Sequence, residues 1–342
     1  MNILVDAMGG DNAPDAVIKG AAKAVKEVDS DIILIGQEEV INKKAKELFN
    51  VEKLSDISSK LKIKHTTEII AMDEIPTHAI KQKKDSSMVV GFDMLKQDEG
   101  DVFISAGNSG ALLTGAILLV GRIKGVDRPA IAPMLPSETN GFLLIDAGSN
   151  TNCRVINLVQ FAQMATIYLR DAFKIENPKI GLLNIGTEEN KGNELMKEVY
   201  QELKTNADKY GINFIGNIEG RDVFSGAIDA LVTDGFTGNV FLKTIEGMGK
   251  FVKTNLTKSL KKNIVSTIAA IPTLPAINRF AKSVDYREYG GALFLGVQKP
   301  VIKAHGSSDD YLFYCIIKQA ENFAKSGAVN NMIIEFEKLR GH

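Results

Sequence analysis

The chain has 342 residues and is 44% hydrophobic, enough to bury one large core or two closely joined ones, which argues against a string of independent modules. Its 41 Lys and Arg almost cancel its 42 Asp and Glu, so no global basic field points to nucleic acid as a main partner. Cys153 and Cys315 stand far apart and outside any metal-ligand spacing, which suggests neither a zinc site nor a disulfide framework and fits a reducing compartment.

The first residues, Met1-Asn2-Ile3-Leu4-Val5-Asp6, read as a strand with an acidic end rather than as a signal peptide. Pro14 then opens a helix with Val17, Ile18, Ala21, Val25 and Val28 on one face, and a second strand follows over 32–35, so the helix is a crossover. Further strands are expected over 61–64, 101–105, 130–134, 142–145, 180–183, 213–215, 230–233 and 301–303, with helices in most of the gaps. The most apolar run, 111–120, is shorter than the roughly 20 residues that span a bilayer, so a cytoplasmic protein is expected. The alternation predicts an α/β fold with a largely parallel, doubly covered sheet. The turn cluster 136–141 is too short for a crossover, so 130–134 and 142–145 are expected to form a hairpin and make the sheet mixed. The whole chain, 1–342, reads as one compact unit. Over 256–284 lies an amphipathic projection, in which Leu256, Leu260, Ile264 and Ile268 keep helical spacing among lysines before Ile271-Pro272-Thr273-Leu274-Pro275 breaks the helix. Ile264, Ile268, Ile271 and Leu274 are its candidate contacts with a membrane, a partner subunit or an acyl chain.

Chemistry concentrates where strands end. Six of them run into small, polar, glycine-containing clusters: 6–11, 105–110, 146–150, 184–187, 233–239 and 305–309. One such cluster is an ordinary capped turn. Six together suggest a crevice in which backbone amides approach a phosphate-sized anion. Arg221, Lys191 and Lys243 lie near these regions and carry the charge such an anion needs. Phosphate-loop and dinucleotide fingerprints are absent, and Gly107-Asn108-Ser109-Gly110 lacks the last glycine of a nucleophile elbow. Of four histidines only His305 leads a strand-end cluster. Taken alone, these residues leave open a metal- and NAD-dependent hydroxyacid dehydrogenase, a coenzyme A-dependent phosphotransacetylase and a peripheral membrane scaffold.

Several blocks in fixed order narrow the choice. Asp6-Ala-Met-Gly-Gly-Asp11, Ser105-Ala-Gly-Asn108, Leu182-Leu-Asn-Ile-Gly186, Gly216-Asn-Ile-Glu-Gly-Arg-Asp222, Thr233-Asp-Gly-Phe-Thr-Gly-Asn239, Asp285-Tyr-Arg-Glu-Tyr-Gly-Gly291 and His305-Gly-Ser-Ser308 resemble the bacterial phosphate acyltransferases of phospholipid synthesis, the PlsX type. The resemblance implies a fold like isopropylmalate dehydrogenase and phosphotransacetylase, a three-layer α/β/α sandwich on a mixed, mostly parallel sheet, with two intertwined subdomains. It implies transfer of a long-chain acyl group from acyl carrier protein to inorganic phosphate, giving acyl phosphate for a downstream membrane glycerol-3-phosphate acyltransferase. A homodimer that associates peripherally with the inner face of the membrane is implied too. No cofactor is expected, and no metal, since no carboxylate set beyond scattered aspartates suggests one.

That reaction needs positioning and oxyanion stabilisation more than a strong base. Asn108, Asn184, Arg221, Asp234 and His305 are the candidate catalytic residues. Asp6, Gly9, Gly10, Asp11, Ser109 and Gly110 are expected to bind phosphate, as are Lys191, Asn217, Asn239, Lys243, Ser307 and Ser308. His305 is expected either to complete the site wall or to protonate the departing sulfur.

Overall fold

The computed structural model describes residues 1–260, 277 and 286–340. Ile264, Ile268, Ile271 and Leu274 lie outside the described residues, as does most of the projection expected over 256–284.

Continuous apolar runs form strands covered on both faces. In β1 (Asn2–Asp6), Ile3, Leu4 and Val5 are fully buried. Among the described residues the strands make two sheets. The first has seven strands in the order β3 (Leu61–His65), β2 (Asp31–Gly36), β1, β4 (Val102–Ser105), β12 (Val301–Lys303), β11 (Ala292–Leu295) and β5 (Ala130–Ala132). Only β11 runs against its neighbours. The second has five, β6 (Met134–Leu135), β7 (Phe142–Ile145), β10 (Ala230–Val232), β8 (Lys179–Asn184) and β9 (Asn213–Glu219), parallel except for β6.

Two expectations need correction. The strand expected over 130–134 is divided at Pro133, which has no N–H to continue a ladder. Its first part pairs with β11, Ile131 opposite Phe294, and only Met134–Leu135 forms the hairpin with β7. The other difference is β11, a short buried strand between Gly291 and Gly296 that periodicity did not reveal.

Helices cover both faces. The first crossover holds as expected: α1 (Asp15–Ala24) buries Val17, Ile18 and Ala21, and Val25 and Val28 stay buried just past its end. Then follow α2 (Glu38–Phe49), α3 (Pro76–Gln82), α4 (Ser87–Lys96) and α5 (Ser109–Gly115). After them come α6 (Val155–Phe173), α7 (Glu194–Asn206), α8 (Gly235–Leu260), α9 (Asp310–Ser326) and α10 (Ala328–Arg340). One core gathers α1, α6 and α9, where Ile18, Phe161 and Phe313 are buried together. The other gathers α4, α5 and the base of α8 around Phe92, Phe103, Phe142 and Phe294. The result is an α/β sandwich on mixed, mostly parallel sheets.

At their junction the sheets run in opposite directions. Leu144 N donates to Pro133 O at 3.0 Å and Ala147 N to Ile131 O at 2.8 Å, an antiparallel pattern. The carboxyl ends of β7 and β10 therefore point away from the rim of β12, and α8 runs back along the chain's own path toward that rim.

Candidate active site

The loops after β1, β4 and β12 interlock. The Asp6 carboxylate ends β1, accepts from Met8 N and Gly9 N at 3.1 Å, and receives the Ser105 hydroxyl at 2.7 Å from the end of β4. Ser105 Oγ in turn accepts from Gly107 N at 3.0 Å. Gly9 is required by this contact, because a Cβ there would stand 2.5 Å from Asp6 Oδ2 and 2.7 Å from Gly107 N. Asp11 N donates to Gly306 O at 2.8 Å, and the Asn12 side chain donates to the carbonyls of Ser307 and Ser308. Three of the predicted clusters thus form one rim.

Asn108 belongs to this rim, with both ends of its amide occupied. Its Oδ1 caps α5 by accepting from Ala111 N at 3.0 Å, and its Nδ2 donates to Met72 O and Glu74 O at 3.0 Å. The segment 71–76 is therefore strapped over the site, and Glu74 tightens it by accepting from Ala71 N and pairing with Lys83, both at 2.6 Å. Lys83, then the Ala71 amide, hold the Glu74 carboxyl below its ordinary range. Gly110 packs against Pro76, and Met72 and Ile75 stand 49% and 62% exposed, an apolar lip beside the rim. Ser109 is half-buried at the first position of α5.

His305 Nδ1 accepts from Ser307 N at 3.2 Å and lies 2.8 Å from Ser307 Oγ. A neutral ring accepting there carries its proton on Nε2. Burial, then the charge of Lys243, pushes the imidazole below its ordinary 6.5, with Lys303 adding to this and Glu246 and Asp11 opposing it. Ser308 is buried and donates to His305 O at 2.5 Å, fixing the turn into α9. Lys243 and Glu246 reach this rim from α8 and pair with each other at 2.7 Å.

The remaining candidates form other groups. Asp234 caps α8 through the Thr237 amide and hydroxyl, and Asn239 donates to Ala147 O. Beside them Asp146, fully buried, accepts from the amides of Ile131, Gly148, Ser149 and Asn150 and so ties β5 to the end of β7. Burial raises its pKa, opposed by those donors. Asn184 donates to Asn217 Oδ1 and Lys191 O, and Asn217 to Glu188 O, so this pair shapes the loop after β8. Among the described residues neither amide bonds to the rim of β1, β4 and β12. Lys191 faces Glu188 at 3.8 Å, and Arg221, 77% exposed, is held by Glu219 at 3.1 Å and Asp222 at 3.7 Å. Among the described residues, no group of His, Cys, Asp and Glu is placed to hold a metal.

Sequence reasoning passed over Lys303 and the lip. Lys303 is two residues before His305, so strand alternation puts both on one face, and that signal was available. The lip carried no local signal, since its place depends on Asn108 reaching across 34 to 37 residues of sequence.

The family described as "Fatty acid synthesis protein" matches residues 1–331. The chain is 47% identical over 340 residues to the phosphate acyltransferase of Thermoanaerobacter pseudethanolicus, covering 99% of this chain and 98% of that protein. It is 48% identical over 340 residues to the phosphate acyltransferase of Acetivibrio thermocellus, covering 99% and 97%. In fold it resembles a phosphotransacetylase from Streptococcus pyogenes, with a TM-score of 0.64 at 16% identity over 94% of each chain. EutD phosphotransacetylase from Staphylococcus aureus gives 0.60 at 14% identity, covering 95% and 94%. Matches that run almost the whole length at this identity place the chain in the PlsX family of phosphate acyltransferases, enzymes of fatty acid and phospholipid synthesis.

Proposed function

We propose that this acyltransferase moves a long-chain acyl group from acyl carrier protein to inorganic phosphate and releases acyl phosphate. The observation that supports this best is the joined rim of three glycine loops, with Lys243 and His305 at it and the apolar lip of Met72 and Ile75 beside it, Met72 next to Gly306. A small oxyanion fits the first part and a lipid tail the second. A phosphate oxygen attacks the thioester carbonyl carbon, and the carbonyl oxygen takes the negative charge. The C–S bond then breaks, and the sulfur leaves as a thiolate that water protonates. A thiol of pKa about 8.5 is a fair leaving group, so the enzyme's main work is to hold the two reactants and stabilise the oxyanion.

His305 is neutral at pH 7 in this environment, so it serves as an Nε2–H donor to the developing oxyanion rather than as an acid toward sulfur. Asp6, Gly9, Gly10, Asp11, Ser109 and Gly110 shape the phosphate side, with Ser307 and Ser308 holding His305. Asn108 positions the lip. Asn184, Asn217, Lys191, Arg221, Asp234 and Asn239 act as supports of the second sheet, the cations among them drawing the anionic substrates toward the enzyme.

We also read the chain as two intertwined subdomains, because it leaves the first sheet after β5 and returns to it at β11. Along α8, Met248, Phe251 and Val252 are 57%, 63% and 43% exposed, a surface that supports a homodimer or contact with the inner face of the cytoplasmic membrane, where a glycerol-3-phosphate acyltransferase would take the product. Among the described residues no helix is long and apolar enough to cross a membrane. Incubation with palmitoyl carrier protein and phosphate tests the reaction, with palmitoyl coenzyme A as the competing donor. Thiol released from coenzyme A but not from carrier protein would overturn the choice of donor.

A further inference from the structure

We propose that Lys303 is the cation that binds the phosphate substrate. This rests on the reading of the reaction as transfer to phosphate. Lys303 ends β12 opposite Ser105, the residue whose hydroxyl joins Asp6 to the β4 loop. Alternation along the strand gives its side chain the same face as Val301, which lies in the core shared with the base of α8. It is partly buried there, with Lys243 and Glu246 of α8 near its ammonium group.

What sets Lys303 apart from the other three cations is the lack of a counter-ion among the described residues. Lys243 is paired with Glu246, Lys191 faces Glu188, and Arg221 is held by Glu219 and Asp222. Among the described residues, the ammonium group of Lys303 has no hydrogen bond and no ion pair. Any of the other three must loosen a carboxylate contact to take an anion, whereas the Lys303 ammonium has no such contact among the described residues to give up. An ammonium withdrawn from water without a partner is costly, and a second cation close by raises that cost. A bound phosphate dianion relieves both. A lysine suits this role, since its compact charge neutralises a tetrahedral anion without imposing the planar fork of an arginine.

The test compares Lys303→Met, which keeps the apolar stem, with Lys303→Arg and the unchanged enzyme. Two readouts are taken: phosphate-dependent thiol release, and the rise in melting temperature given by inorganic phosphate alone against chloride at equal ionic strength. One charge-assisted contact corresponds to a rise of roughly 10- to 100-fold in phosphate KM for Lys303→Met. The acyl-donor KM should change less than about twofold, and Lys303→Arg should recover part of the loss. Phosphate should also stabilise the methionine variant far less than the parent. An unchanged phosphate KM, or equal stabilisation of both proteins by phosphate, would overturn the assignment. If Lys303→Met does not fold, reductive methylation of the unchanged enzyme decides. Phosphate should slow modification of Lys303, read by mass spectrometry, and equal rates with phosphate and chloride would again overturn it. Absence of any thiol release by the parent enzyme would fail the transfer reading instead, and phosphate protection of Lys303 would still report on binding.

Discussion

Asn108 offers the sharpest structural test, because one side chain does two separable jobs. Its carbonyl oxygen caps α5 and its amide nitrogen straps the segment carrying Met72 and Ile75. Loss of the cap costs about 1 kcal/mol. Loss of the two hydrogen bonds at 3.0 Å costs about 1 kcal/mol each. Asn108→Ala should therefore lower unfolding stability by about 3 kcal/mol. Serine caps a helix as well as asparagine does but cannot reach the strap, so Asn108→Ser should lose about 2 kcal/mol. Urea unfolding of the three proteins measures both differences. Because the strap holds the lip rather than phosphate, the kinetic loss in Asn108→Ser should fall mainly on the acyl-donor KM. An alanine variant within about 0.5 kcal/mol of the parent, or a serine variant that loses only phosphate affinity, would refute the reasoning.

Three other outcomes follow from the same geometry. His305 is held below 6.5 by burial and by Lys243 and Lys303, against Glu246 and Asp11, so on acidification the unfolded chain takes up its proton first. Its stabilising effect is present above 6.5 and lost as pH falls through the folded value, so the stability gap between the parent and His305→Gln should shift against the parent on going from about pH 7.5 to about pH 5; a gap independent of pH would contradict this. Gly9→Ala forces a Cβ to within 2.5 Å of Asp6 Oδ2, and should lower stability by about 1 to 3 kcal/mol and abolish most turnover, as thermal melts and initial rates would report. Asp146→Ala removes the acceptor of four backbone amides at the sheet junction and should cost at least about 3 kcal/mol in urea, whereas a loss below about 1 kcal/mol would mean the tie is dispensable.

Much of the architecture was legible because strands such as Ile3-Leu4-Val5 are apolar runs closed by polar glycine clusters, and helices such as α1 show one apolar face. Pro133 was legible as a break in hindsight, since its missing N–H ends one ladder and lets the next begin. The direction of the second sheet was not, because it is set by hydrogen bonds between β5 and β7 that no local pattern encodes. For the same reason six strand-end clusters, alike in sequence, fall into different groups in space. The loops of Asp6 and Ser105 join each other and the loop after His305, through Asp11 and Asn12, while Asn184 and Asn217 turn inward on their own loop. Arg221 and Lys191 looked like anion ligands because lysine and arginine are visible in a sequence and their carboxylate partners are not. Lys303 was overlooked for the converse reason, as the lack of a partner for its ammonium group among the described residues exists only in three dimensions.

The central claim is that phosphate is the nucleophile that cleaves a carrier-bound thioester. It is tested most directly by following free thiol from palmitoyl carrier protein as phosphate is varied. Release that saturates with phosphate, is supported by arsenate and yields palmitoyl phosphate is the predicted result. Release at the same rate without phosphate, or none with it, would contradict the account.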